Sequence, residues 1–266
     1  MKMNRNFLLP ALLTFLMFAG CTDDDQTARL RITLVDDPGD YDAVNVDIQG
    51  VSVHTNENAG ENDNGWVLLE NSNVGVKNLL DYTGGVELTL ADTDFPAGRI
   101  SQIRLLLGDN NSVTIDGNTE PLETPSAQQS GLKLQVHEFL KGGIAYEFKL
   151  DFEAARSVVT TGAGTKILKP VIKVFTKAVS GSITGSVLPA EENVAVSVMD
   201  GSDIIATTYA PAGMSDFLFA NVQEGIYTVT FDPGELSDYA SVAVENVGVM
   251  IGEVTNLGEI DLVLKE

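Results

Sequence analysis

Disulfide bonds cannot hold this chain together. It has one cysteine in 266 residues, Cys21, so no intrachain bridge can form. Tryptophan also occurs once, as Trp66, and histidine twice, as His54 and His137. No thiol is left for a cysteine enzyme beyond Cys21. Cations are scarce too: 16 Lys and Arg stand against 38 Asp and Glu, a net charge of −22. Such a field repels nucleic acid and anionic lipid, which excludes both as expected partners. Long apolar runs are missing. The stretch from Phe7 to Gly20 is shorter than the ~18 residues of a membrane-spanning helix and contains Pro10. Apolar residues nevertheless make up 44% of the chain, enough for compact cores, so disorder is not expected.

The start has the three parts of a secretory signal: Lys2, Asn4 and Arg5, then the apolar stretch, then Phe18-Ala19-Gly20 before Cys21. Residues 1–20 are read as a signal peptide. The junction resembles a bacterial lipobox, although Phe18 stands where such boxes usually carry leucine. The resemblance implies that Cys21 takes a diacylglycerol and becomes the mature N-terminus. Two or more acyl chains hold a protein stably on a bilayer. Without the leader the balance is 14 basic to 38 acidic residues, or −24. Residues 21–27 read as a lipidated acidic tether. Thr22-Asp23-Asp24-Asp25-Gln26 resembles the surface-export signal of some Gram-negative lipoproteins, which implies an outer-membrane lipoprotein displayed on the cell surface.

Beyond the tether, period-two alternation dominates. Leu30-Ile32-Leu34, Val44-Val46-Ile48, Val51-Val53, Ile103-Leu105-Leu107, Leu132-Leu134-Val136 and Ile144-Tyr146-Phe148-Leu150 each read as the apolar face of a strand. Gly50 marks a bend or bulge. Asp37-Pro38-Gly39-Asp40 and Lys141-Gly142-Gly143 are turns, and Asn56 to Gly65 is a polar loop tip. Only Val76–Tyr82 and Asp151–Val159 suggest helix, the second with Asp151 as N-cap. A boundary is expected between Lys177 and Gly181, where the charge shifts. Residues 26–178 carry −8, whereas residues 179–266 carry 14 acidic side chains and only Lys265, or −13. The predicted fold is all-β, with two β-sandwich domains (Ig-like or transthyretin-like) at 28–178 and 179–266.

Asp36-Asp37-Pro38-Gly39-Asp40-Tyr41, Trp66, Pro96-Ala97-Gly98, Ile100 to Leu105, Pro125-Ser126 and Leu168-Lys169-Pro170-Val171-Ile172 occur in an order that resembles the bacterial lipoprotein module called domain of unknown function 4382. That likeness implies an extracellular β-rich domain without assigned activity. The tail resembles the carboxypeptidase regulatory-like domain, a transthyretin-like sandwich with no peptidase chemistry. Gly181–Val187, Phe217-x-Phe219-x-x-Val222, Gly225-x-Tyr227-x-Val229 and Val247–Leu262 carry this second likeness. Its relatives share a carbohydrate-binding-like topology, but a fold does not confer a ligand.

Asp36, Asp37, Asp40 and Asp42 crowd one turn and are the calcium candidates, because carboxylates at this spacing supply several of the six to eight oxygens such an ion takes. The plainer account is preferred: a polar turn set by Pro38 and Gly39, with carboxylates capping backbone N–H groups. His54 and Glu57 have H-x-x-E spacing, and His137 is a conceivable third zinc ligand; surface histidines explain the pattern better. Gly181-Ser182-Ile183-Thr184-Gly185 has elbow-spaced glycines but isoleucine where a nucleophilic serine belongs. Trp66 beside a polar loop suits either sugar stacking or, the preferred reading, packing at a core or edge. No catalytic residue or cofactor is assigned, and the ligand-binding residues stay open. The expected protein is a non-enzymatic, lipid-anchored envelope protein that binds or scaffolds a glycan or another envelope protein. The alternatives are a subunit or anchor of a surface appendage, and an accessory module of a surface hydrolase system.

Overall fold

The computed structural model describes residues 27–36, 40–56, 65–70, 72–125, 131–190 and 192–265. The signal peptide, Cys21, the acidic tether, Asp37 and most of the Asn56–Gly65 loop lie outside the described residues.

Among the described residues thirteen strands precede residue 179. They are β1 (Thr27–Asp36), β2 (Ala43–His54), β3 (Trp66–Leu68), β4 (Gly75–Asn78), β5 (Leu88–Pro96), β6 (Gly98–Leu107), β7 (Ser112–Ile115), β8 (Asn118–Pro121), β9 (Leu132–Leu140), β10 (Ala145–Phe152), β11 (Val158–Thr160), β12 (Lys166–Leu168) and β13 (Ile172–Ala178). One sheet has the order β13-β10-β1-β5, with β1 and β10 parallel. The larger, seven-stranded sheet runs β8-β7-β2-β6-β9, with β3 and β4 also paired to β2. Leu30, Ile32, Leu34, Phe148 and Leu150 of the first sheet share a core with Val44, Val46, Val53, Ile103 and Leu105 of the second. All ten are fully buried. Each such aliphatic or aromatic side chain contributes roughly 1.5–3 kcal/mol on leaving water. The alternation predicted from sequence is therefore the alternation that packs.

The second group comprises β14 (Gly181–Leu188), β15 (Val194–Asp200), β16 (Asp203–Ala210), β17 (Asp216–Val222), β18 (Gly225–Asp232), β19 (Tyr239–Ala240), β20 (Val242–Val249), β21 (Val254–Asp261) and β22 (Val263–Leu264). The order β17-β14-β21 faces β16-β15-β18-β20, and β14 and β21 are parallel. Ile183, Val196, Val198, Phe217, Phe219, Val229 and Phe231 fill the space between the two sheets. Phe217 meets Phe231 edge-on with ring centroids 5.5 Å apart. The fold is all-β, as predicted, and its buried apolar residues form one cluster from Ala28 to Leu168 and another from Ile183 to Leu262.

The two helix expectations are corrected. In Val76–Tyr82 the strand β4 runs to Asn78, and only Leu79–Tyr82 turns, as a 3-10 helix. Asp151 is not an N-cap. It lies within β10, opposite Val35 and Lys173, because Phe152 extends the buried face by one more step. The helix α1 (Ala154–Ser157) is a single turn, and the Ala154 N–H donates to Asp36 Oδ1 at 2.9 Å. A carboxylate 118 residues away thus satisfies the helix start that no neighbouring side chain caps.

Candidate functional site: the outer face of the larger sheet

On β2, residues alternate between the core and the outside until a register shift between Ile48 and Gly50 re-phases them. Such a bulge re-aims the side chains beyond it. Val51 and Val53 stay in the core, and Ser52 and His54 face outward. Cross-strand partners then build two rows. Trp66 of β3, His54 of β2, Gln102 of β6 and Gln135 of β9 form one. Leu68, Ser52, Arg104 and Lys133 form the other.

Trp66 joins the two rows. The Arg104 guanidinium carbon sits 3.8 Å from the centroid of its ring, and the His54 ring meets it edge-on at 5.0 Å. A cation over an indole face is worth about 0.5–2 kcal/mol, more when desolvated. His54 is only 2% exposed. Its Nδ1 accepts the Asn56 N–H at 2.9 Å, which leaves the proton of the neutral ring on Nε2. Among the described residues neither His54 Nε2 nor Trp66 Nε1 has a hydrogen-bond partner, although both atoms are buried. Gly65 closes over the imidazole, and a Cβ there would stand 3.0 Å from Nε2. The Ser101 hydroxyl lies 2.8 Å from the His54 carbonyl oxygen and 2.6 Å from that of Asn56, tying the end of β2 to β6.

The electrostatics of this face run against those of the chain. Arg104 and Lys133 stand directly opposite each other on adjacent strands. They set two cations side by side on a protein of net charge −22.

The other candidates are dispersed. Asp36 is buried and serves Ala154, while Asp42 Oδ2 accepts the Gly117 N–H at 2.8 Å. Asp40 is exposed. Among the described residues no three His, Cys, Asp or Glu side chains gather as a metal site. His137 is exposed at a bulge of β9 with φ of 58°, and β6 lies between it and His54. His54 itself corrects the surface reading of both histidines: it is buried beneath Gly65. Trp66 packs on Arg104 and His54 at the end of β2. Gly181 and Gly185 are spaced for packing, since a Cβ at each would stand 2.5 Å from the Met250 carbonyl oxygen and 2.8 Å from that of Gly258. Arg104, Lys133 and Gln102 were not among the sequence candidates. Their signal was the polar phase of two strands, opposite the apolar phase that packs in the core.

Two packed β-sandwiches define an all-β protein. By sequence, the chain belongs to the family Domain of unknown function (DUF4382), whose pattern matches residues 27–170. No curated protein matches it. Among solved structures it is similar to the Bacillus anthracis TIE protein (11% identity, TM-score 0.24), covering 90% of this chain and 51% of that one. It is also similar to GBS52, the minor pilin of Streptococcus agalactiae (10% identity, TM-score 0.23), over 89% of this chain and 97% of that one. A third is a leucine-rich repeat protein from Bacteroides thetaiotaomicron (13% identity, TM-score 0.24), with 91% and 26% covered. The chain thus spans about half the length of the Bacillus anthracis protein.

Proposed function

We propose that this is a lipid-anchored, non-enzymatic protein of the bacterial cell surface, and that the outer face of its larger sheet binds a glycan carrying carboxylate or sulfate groups. The opposed pair Arg104–Lys133 carries this reading. The two cations stand side by side on β6 and β9, an arrangement suited to an anionic, hydroxyl-rich ligand. The Trp66 ring beneath the Arg104 guanidinium supports the reading by holding that cation in place. The leader and Cys21 support an outer-membrane anchor through lipid. A carboxypeptidase regulatory-like tail is part of this reading, supported by the Phe217-x-Phe219 and Tyr227-x-Val229 motifs, which are buried on β17 and β18.

The test is titration of the full chain with a polyuronate, a sulfated polysaccharide and neutral dextran. The acidic polymers are expected to bind, with affinity falling as salt rises. Arg104→Gln and Lys133→Gln are each expected to weaken binding about tenfold, the range of a charge-assisted hydrogen bond. Equal affinity for dextran, or variants that bind like the parent, would sink the proposal.

A second reading, the appendage subunit joined by strand addition, draws on β16. That strand ends its sheet and exposes Ile204, Ile205 and Tyr209. A stable polymer or partner in gentle detergent extracts favours it, and a strictly monomeric extract disfavours it. The accessory-module reading keeps the same glycan face and adds a partner hydrolase.

A further inference from the structure

The second sandwich has a cleft of its own, independent of the sheet face above. It occupies roughly 310 Å³ between the β15–β16 edge and the β17–β18 connection. That volume lies at the small end of the range for ligand pockets. A register shift opens it: Val198 pairs with Ala206 and Met199 with Ile204, so Ile205 has no opposite residue on β15. Val198, Val222 and Tyr227 form an apolar floor and are buried. The Tyr227 hydroxyl is fixed by donating to the Gln223 carbonyl oxygen at 3.1 Å. The rim is polar, with Asp200, Asn221 and Gln223. Asn221 is held in the left-handed region at φ 58°, and its N–H donates to the Gly143 carbonyl oxygen at 2.9 Å.

The charge around this cleft is one-sided. Asp200 has no ion pair among the described residues. The one basic residue after residue 178, Lys265, donates through Nζ to the carbonyl oxygens of Glu235 and Ser237 at 3.0 and 2.7 Å. Segment 179–266 carries −13. No basic side chain lines the cleft, so an anionic occupant would meet this field without a contacting cation. A hydrated divalent ion would gain nothing from the apolar floor. A cation carried on a hydrocarbon stem satisfies both parts of the site.

We propose that this cleft binds a primary amine on an apolar stem, with the stem on Val198, Val222 and Tyr227 and the ammonium group at Asp200 and the Asn221 and Gln223 amide oxygens. Two sources share that chemistry, a free alkylamine and the lysine side chain of a partner polypeptide.

The experiment titrates the full chain with n-pentylamine, n-pentanol, pentanoate and Nα-acetyl-lysine N-methylamide, following backbone amide resonances. Pentylamine is expected to shift residues 198–206 and 220–227 in a saturable way. Pentanol is expected to bind at least about fivefold more weakly, and pentanoate not at all, the difference being one charge-assisted contact. Asp200→Asn is expected to reduce pentylamine affinity by a similar factor. Acetyl-lysine amide binding at least as tightly as pentylamine assigns the site to a polypeptide partner; much weaker binding assigns it to a free amine. Pentanol matching pentylamine, shifts confined to other residues, or a folded Asp200→Asn variant with unchanged affinity would overturn the proposal. Should that variant fail to fold, the comparison of amine with alcohol on the parent chain still decides.

Discussion

At the scale of single residues, Glu153 shows how a mostly buried charge is kept. Its side chain is nearly inaccessible and pairs with both Lys173 and Arg156. Hydrogen bonds from Lys173, then from Arg156, hold its carboxyl below the ordinary glutamate value. Glu87 is lowered in the same way by Lys149. A carboxylate lowered in the folded state adds stability above its unfolded value. That stability disappears as pH falls through the folded value. Both groups therefore predict progressive acid destabilisation below about pH 4.3. Glu153→Gln is expected to be less stable than the parent at pH 7 and to show a shallower loss between pH 5 and 3, as read from urea unfolding at each pH. An unchanged slope would assign the acid sensitivity elsewhere. Burial of His54 escaped the sequence, because a histidine before a polar loop gives no sign that Gly65 will fold back over it.

At the scale of elements, strand faces were legible and their interruptions were less so. The Ile144-Tyr146-Phe148-Leu150 face needed only period two, and all four side chains are buried. The Gly50 bulge was also signalled, since a glycine broke the alternation. The bulge at His137 was not: a non-glycine residue at positive φ has no composition cue. The end of β10 was misplaced because Asp151 looks like a cap only while Phe152 is ignored. The Lys141-Gly142-Gly143 turn was legible as a turn but not as a joint. Gly143 accepts the Asn221 N–H, and Lys141 Nζ donates to the Gly252 carbonyl oxygen at 2.7 Å, so the turn bridges the two groups of strands. Gly143 has φ of 76°, and a Cβ there would stand 3.0 Å from Ser182 Cβ and 3.2 Å from Leu218 Cδ1. Gly143→Ala is expected to cost about 1–3 kcal/mol, combining left-handed strain with crowding. Proteolysis near Val179-Ser180 should speed up in the variant. Resistance equal to the parent's would mean that the joint tolerates the methyl group.

At the scale of the whole molecule, composition anticipated the all-β class and the charge step near residue 178, but not the strand order. The parallel pairs β1–β10 and β14–β21 join segments far apart in sequence, and nothing in either segment names its partner. The same is true of Arg104 facing Lys133, which exists only once β6 and β9 are neighbours. One consequence follows from β1. It is the first described strand, and it lies inside its sheet, bonded to β5 on one flank and, over eight residue pairs, to β10 on the other. A pull applied from the N-terminal side meets both ladders lengthwise, so their bonds must rupture together instead of unzipping one at a time. Single-molecule stretching through the N-terminus should therefore record a tall first force peak, lowered when Leu30 and Ile32 are truncated to alanine. A low peak would mean that the strand peels. Tension entering through β1 would spend itself on the sheet's strongest axis before the fold lets go.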